Sequence, residues 1–399
     1  MKTKYIYFFK GDLSSHVGIY KSWVDVASDS LDILMVTIID SRTYNIQKEL
    51  VEYYREKGVI IKVVARYFKF FFALFYFLYI TMKNEKVVVH LRKQSPKPFN
   101  LLKKIFPNKL RYIIEIEGDF ESEIEYLSSK RNEYKNGFYD QIVSGMKKSS
   151  LVLEEQFSKA DGIFVVTNEL KQLYVNRYKK YDLKNKIHVI PTGFDNTKFY
   201  PDDSLRDIFR KKYKLEEKFV MIFTGNVFYS WQNIKRSLEV FNILKKEVYP
   251  NIYFIMLISK EDHNIVKEFI ENLNIKKKDY LLTNVSHEEV NGFLNASDLG
   301  ILLRENHMLN KVASPGKLGE YLSAGLNVLT TKHIGNYSKK MQEDNIGILI
   351  DDIYDDNEIL NQVNSFKGNR KREEINKWAS DKFSVQAYKK AYIDALQSV

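Results

Sequence analysis

The sequence predicts two α/β domains of similar size, each a doubly wound parallel sheet covered by helices, and three observations carry that prediction. The chain has 399 residues, more than one ordinary core accommodates and enough for two domains of roughly 200 residues each. Short β-branched or aromatic runs alternate with amphipathic segments along its whole length, the pattern of parallel strands joined by crossover helices. Hydrophobic residues make up 44% and no stretch is dominated by Pro, Gly or Ser, so both halves should be ordered.

In the first half, strands are expected at 4–10, 32–39, 59–65, 86–91, 111–117, 161–167 and 186–190. Helices are expected at 15–28 and 43–57, with a long polar helical region over 121–159. In the second half, strands fall at 219–224, 253–259, 280–285, 299–304, 327–331 and 346–351, each followed by a helix-sized segment. Ser286 and Glu289 have the spacing of a capping box. The linker is expected within 193–207, with Pro201-Asp202-Asp203-Ser204 as the break. This gives an N-terminal domain over 1–195, a C-terminal domain over 196–380, and a closing helix over 381–399 that crosses back to the first. Ligands of such sheets bind beyond the carboxyl ends of the strands, so the loops facing a cleft between the domains are where function is sought.

The absence of Cys excludes disulfides, thiolate metal sites and Cys nucleophiles, and fits a reducing, cytoplasmic setting. Residues 5–9 are apolar but too short a run for a signal-peptide core. A net charge of +11 favours an anionic partner. Seven Lys or Arg and no acid lie between Arg92 and Arg111, followed at once by Glu115, Glu117, Asp119, Glu121, Glu123 and Glu125. No nucleic-acid-binding module accompanies the charge, so no nucleic-acid partner is expected.

Phe70 to Ile80 is an uninterrupted apolar run rich in Phe and Tyr, and the stretch from Tyr67 to Met82 holds one charge, Lys69. As a helix these residues span about 24 Å, short of the roughly 30 Å hydrocarbon core. Two readings stay open. The helix is buried against a sheet, or it lies in a membrane interface with the basic residues of Arg92 to Arg111 meeting anionic lipid.

The segment richest in chemistry runs from Arg304-Glu305-Asn306 to Gly325. Ser314 suits a helix N-cap and Pro315 the first helical position. Gly316 leaves the first turn open, so free amides and the positive dipole end form an anion site. Lys317 adds a point charge for a diphosphate. Glu320, one turn on, offers two acceptor oxygens to a vicinal diol such as a ribose. Gly319 and Gly325 permit close packing and the helix stop.

Residues 320–328, Glu-Tyr-Leu-Ser-Ala-Gly-Leu-Asn-Val, resemble the "Glu–aliphatic–small–Gly–Leu–Pro–Val" signature of glycosyltransferase family 4, whose members have the GT-B fold of two Rossmann-like domains. Ser314-Pro-Gly-Lys317 is similar to the Ser-Pro-x-Lys variant of bacterial envelope-polysaccharide transferases. Val189 to Asp195 with Phe199 resembles the run that closes the family's first domain. Ala160 to Thr167 resembles its "Ala-Asp…Val-Ser" strand, Asn295 to Gly300 its "Asn-Ala-x-Asp-Leu" run, and 377–396 its closing helices. The likeness covers about residue 153 onward well and residues 1–150 poorly.

The resemblance implies a metal-independent, retaining transferase that moves a sugar from a nucleoside-diphosphate donor to a glycan, lipid-linked or protein-linked acceptor in envelope synthesis. It implies no separate cofactor, and no Asp-x-Asp motif is present. Glu320 falls on the glutamate that binds the donor ribose, and Ser314 to Lys317 on the stretch beside the diphosphate. The family's second glutamate falls on Val312, so Glu305, Asn306 or His307 are substitutes for it. The phosphate loop departs as well: Thr224-Gly225-Asn226 and Trp231-Gln232-Asn233 stand there, with Lys235 or Arg236 as replacement cations and Gly225 as a close-approach glycine. Asn284 and Val285 fall where the base edge is read. In the first domain, Gly11, Ser14, Ser15, His16 and Gly18 match the donor-side loop weakly, and Glu117 and Asp119 are candidate acceptor contacts. A non-catalytic transferase-like subunit and a nucleotide-sugar epimerase of the same fold are the alternatives.

Overall fold

The structure, a computed structural model, describes residues 3–9, 13, 17–131, 138–227, 230–366 and 370–399. The chain divides into two compact units. One comprises 1–118, 145–191 and 385–399, and the other 119–144 and 192–384.

The first unit holds β1 (Thr3–Phe9), β2 (Ile33–Asp40), β3 (Ile60–Val64), β4 (Lys86–Arg92), β5 (Leu110–Ile116), β6 (Gly162–Val165) and β7 (Ile187–Val189). They form one seven-stranded sheet in the order β3-β2-β1-β4-β5-β6-β7, and the pairings are parallel. Its helices are α1 (Val17–Ser28), α2 (Ser41–Ile46), α3 (Lys48–Glu56), α4 (Lys69–Lys83) and α5 (Lys97–Ile105). After α6 (Phe120–Ser129), which belongs to the second unit, come α7 (Phe138–Gln156), divided between the units, and α8 (Asn168–Arg177).

Alternation along β1 assigns its two faces. Tyr5, Tyr7 and Phe9 enter a core with Trp23 of α1 and Tyr392 near the C-terminus. Phe8 points the other way, its ring 4.9 Å from Phe77 of α4 and 5.9 Å from Phe99 of α5. Phe77 and Phe99 themselves meet edge-on at 4.7 Å. α4 and α5 therefore cover one sheet face side by side.

The single helix expected over 43–57 is two helices. Gln47, at φ −117° and ψ 28°, separates α2 from α3, and its side-chain oxygen accepts the Leu13 amide at 3.2 Å. The polar region 121–159 likewise resolves into α6 and α7. Asp119 caps α6 by accepting from the Ser122 amide at 3.1 Å.

The second unit holds a six-stranded sheet of β8 (Phe219–Thr224), β9 (Ile252–Leu257), β10 (Tyr280–Thr283), β11 (Leu299–Leu302), β12 (Asn327–Thr331) and β13 (Ile348–Ile350). Its order is β10-β9-β8-β11-β12-β13, again with parallel pairings. The helices are α9 (Asp203–Lys212), α10 (Ile234–Glu247), α11 (His263–Asn272), α12 (Val290–Ala296), α13 (Met308–Lys311), α14 (Gly316–Ser323), α15 (Gly335–Glu343), α16 (Asp356–Ser365) and α17 (Arg372–Phe383). α18 (Lys389–Gln397) returns to the first unit. Asp202 caps α9 through the Leu205 amide at 2.8 Å, so the expected linker break coincides with a helix start. Ser286 donates from both its amide and its hydroxyl to Glu289 at 3.1 Å, in the turn before α12.

Strand order reverses between β8 and β11, which leaves a crevice beyond their carboxyl ends. The loops after Thr224 and Leu302 open into it.

Burial on α4 supplies a test of the fold. Phe77 is fully buried and Phe75 is 62% exposed. Phe77→Ala should cost about 3–5 kcal/mol in urea unfolding, whereas Phe75→Ala should stay within about 0.5 kcal/mol of wild type.

Candidate active site

β8 ends at Thr224, and the chain turns through Gly225 at φ +124°, a backbone region that glycine alone enters readily. A Cβ at 225 would fall 1.7 Å from Lys317 Nζ. The close approach expected of Gly225 is therefore made by the lysine itself, laid across the bare backbone. Its ammonium lies 5.7 Å from the centre of the Phe223 ring and donates to Gln232 Oε1 at 3.3 Å.

Arg304, two residues beyond β11, reaches the same place. Its guanidinium donates to the Trp231 carbonyl and, at 3.1 Å, to Gln232 Oε1. Gln232 thus ties two cations together, and burial pushes Arg304 down to about 10. Burial also brings Lys317 down to about 7, helped by the charge of Arg304 and opposed by Glu320. Two cations held close with so little neutralising charge make a site that gains from an anion.

Glu320 sits one turn along α14. Burial raises its carboxyl to about 7 against the opposing pull of Lys317, and the carboxylate has no hydrogen-bond partner among the described residues. Next to it, the Tyr321 hydroxyl accepts from the Thr224 amide at 2.7 Å and pins α14 to the end of β8.

The start of α14 differs from the expectation. The helix begins at Gly316 with Pro315 in the capping position, at φ −71° and ψ 115°, and no side-chain cap. The extended ψ of Pro315 sets Ser314 one residue too far back to reach the first-turn amides. The Ser314 hydroxyl is instead buried with no partner. A Cβ at Gly316 would meet only Thr192 at 3.8 Å and Gly193 at 3.9 Å, so sterics do not demand glycine there. They do at Gly319 and Gly325, where a Cβ would strike the Phe194 ring at 2.4 Å and the Arg372 carbonyl at 2.6 Å.

Glu305 is engaged within the protein. Its carboxylate accepts from Tyr354 at 2.9 Å and Tyr126 at 3.1 Å, and pairs with Lys130 at 3.2 Å. These partners lie 49 and more residues away in sequence, and no local motif signals them. His307 begins α13, accepting the Leu309 amide on Nδ1 at 3.2 Å. Asn306 is exposed and Val312 fully buried. Arg236 is committed to Asp356, Glu239 and the Ile353 carbonyl, which leaves Lys235, exposed, as the other cation of that stretch. Asn226 and Asn284 are exposed at the ends of the loops that carry them.

In the first unit, Gly18 lies in α1, where its carbonyl accepts the Ser22 hydroxyl at 2.9 Å. His16, Gly11, Ser14 and Ser15 fall outside the described residues. Glu117 follows β5 and pairs with Arg92 and, at 2.8 Å, with Lys93. Arg92 also pairs with the buried Glu115, which holds His90 Nε2 at 3.0 Å. Burial and the Arg92 charge push His90 well below its usual range, so it is neutral. Asp119 is buried as the cap of α6.

Residues 206–382 match the family described as Glycosyl transferases group 1. Solved structures similar to the whole chain include Anabaena HepE in complex with UDP and glucose, at 13% identity and a TM-score of 0.64 over 99% of this chain and 100% of that one. A glycosyltransferase from Rickettsia africae is 16% identical with a TM-score of 0.67 over all of both chains. WaaG, a glycosyltransferase involved in lipopolysaccharide biosynthesis, is 13% identical with a TM-score of 0.59 over 99% of this chain and 98% of that one. These likenesses carry the fold, two parallel-sheet α/β units of the GT-B kind. A protein described as "Probable tRNA pseudouridine synthase D 2" of Methanocaldococcus jannaschii is 24% identical over 225 residues, 56% of this chain. The chain spans 43% of the length of that curated relative.

The displaced titrations of Lys317 and Glu320 set a pH dependence. Glu320, raised from 4.5 to about 7, favours folding below 4.5 and loses that contribution as pH rises through 7. Lys317, lowered from 10.5 to about 7, favours folding above 10.5 and loses it as pH falls through 7. Glu320→Gln should therefore melt higher than wild type above about pH 8, with the gap closing towards pH 4.5. Lys317→Met should melt higher below about pH 6, with the gap closing towards pH 10.5. Calorimetric melting across this range checks both.

Proposed function

We propose, from the match of residues 206–382 to the family described as Glycosyl transferases group 1, that the chain transfers a sugar from a nucleoside-diphosphate donor to a glycan, lipid-linked or protein-linked acceptor. The observation that carries this reading is the cluster at the β8–β11 reversal. There Lys317 lies across Gly225 beside Arg304, at the N-terminus of α14, and the Glu320 carboxylate stands unpartnered one turn on.

The assignment of parts follows from charge. A leaving diphosphate gathers negative charge in the transition state, and fixed cations and first-turn amides lower its energy without reorganising. Lys317 and Arg304 supply the cations, the start of α14 the amides, and the buried Ser314 hydroxyl a further donor. Glu320 is suited to accept two hydroxyl hydrogen bonds from the ribose. Because this charge stabilisation comes from the protein, transfer without a metal fits the site. Retention of anomeric configuration, with the acceptor attacking the face the diphosphate leaves, fits the family.

HepE is described in complex with UDP and glucose, which makes a uridine-diphosphate sugar the first donor to test here. An envelope polysaccharide or lipid-linked glycan acceptor fits the likeness to a lipopolysaccharide enzyme. The reading accordingly has the protein act in the cytoplasm, in peripheral contact with the inner face of the membrane. Among the described residues no helix is long and apolar enough to cross one.

Donor binding to the folded state should raise the melting temperature in proportion to the logarithm of donor concentration, so a panel of nucleotide sugars identifies the donor. Lys317→Ala and Glu320→Ala should each lower the transfer rate about 10²- to 10³-fold with circular dichroism unchanged. Wild-type turnover in both variants would remove the proposed donor site. Donor binding without turnover in the wild-type protein would favour a non-catalytic subunit.

A further inference from the structure

On the first unit, α4 and α5 leave a face that the donor chemistry does not use. α4 buries only Ala73, Phe77 and Thr81, one residue every fourth position. The opposite stripe, Phe71, Phe75, Tyr79 and Met82, points outward, with Phe75 and Tyr79 each 62% and Met82 64% exposed. α5 buries Pro98, Phe99 and Leu102. Its outward stripe mixes cations with aliphatics: Lys97, Leu101, Lys104 and Ile105 at helical spacing, all exposed. The Phe77–Phe99 contact keeps the two helices adjacent, so both stripes lie on one side of the unit.

From Arg66 to Arg111 the sequence has eleven Lys or Arg and a single acid, Glu85. Arg66, Lys83, Lys97, Lys104 and Lys109 make no ion pair among the described residues. Beside α5 a groove of about 270 Å³ has Lys97 and Lys104 on one wall and Leu101 and Val152 among its apolar lining.

We propose that this face docks on an anionic lipid bilayer, with α4 lying in the interface plane. Its aromatic stripe would enter the acyl boundary while Lys97, Lys104 and the cations at the ends of α4 meet phosphate headgroups. Charge decides against a second copy of the chain: a two-fold contact through this surface would set like-charged lysine stripes against each other. It decides the lipid type as well, since a neutral surface would leave these cations without counter-charge. The proposal deepens the membrane part of the reading above and stands apart from the donor site.

Co-sedimentation of the full chain with vesicles tests it, using phosphatidylcholine alone and phosphatidylcholine mixed with phosphatidylglycerol. The wild type should sediment with the mixed vesicles, and binding should weaken as salt screens the charges. A Phe71→Ser, Phe75→Ser, Tyr79→Ser triple variant should lose about tenfold or more of the bound fraction. So should a separate Lys97→Glu, Lys104→Glu double variant. Both should keep the wild-type melting temperature and the wild-type thermal shift with donor. Failure to bind mixed vesicles, binding unaffected by either variant, a dimer sealed through this face, or RNA displacing the vesicles would each overturn the proposal. A donor-induced thermal shift that persists beside any of these would leave the donor site standing.

Discussion

The second unit is organised around a side chain lying where another could not exist. Lys317 crosses the backbone of Gly225 so closely that a Cβ there would overlap its ammonium, and the turn at φ +124° suits glycine for a second, independent reason. This contact ties the end of β8 to the first turn of α14. The Tyr321 hydroxyl, accepting the Thr224 amide one helical position beyond Glu320, makes a second tie between the same elements. Together they bring the start of a helix to the strand-order reversal, where a parallel sheet leaves its crevice.

That arrangement leaves charge unresolved. Lys317 and Arg304 converge on one neutral acceptor, Gln232, and the Glu320 carboxylate, whose charge acts on Lys317, has no hydrogen-bond partner among the described residues. Lys317 is lowered and Glu320 raised mainly by desolvation, so each resists its own charged state in the absence of a counter-group. Glu305, by contrast, is engaged by its neighbours. Two tyrosine hydroxyls and Lys130 satisfy it, and its work is to hold α6 and the turn before α16 against the loop after β11. The chemistry of two nearby glutamates is thus separated by their partners rather than by residue type.

The first unit shows the same contrast between satisfied and unsatisfied groups. Arg92, although buried, is matched by Glu115 and Glu117, and Glu115 also holds a neutral His90, so this charge cluster is internally balanced. A few residues away on α5, Lys103 pairs with Asp161, whereas Lys97 and Lys104 make no ion pair among the described residues and stand among the exposed aliphatic side chains Leu101 and Ile105. The run from Arg92 to Arg111 is uniform in sequence, yet its members divide between an interior network and an outward face.

What the sequence by itself determined was the order and type of the elements, because burial on both faces of a parallel strand demands an unbroken apolar run. The strands at 219–224 and 327–331 are bounded as their side chains indicate. The cluster of Lys317, Glu320 and Gly325 was legible too, because a helix start, its cation and its stop are all local. Only the tertiary structure decided the rest. It moved the cap from Ser314 to Pro315 through a single ψ angle, and it occupied Glu305 with a tyrosine 179 residues distant. It also turned the aromatic helix so that Ala73, Phe77 and Thr81 are buried while Phe71, Phe75, Tyr79 and Met82 face outward. A sequence records which side chains are apolar or charged, but which of them meet is settled only when remote segments pack.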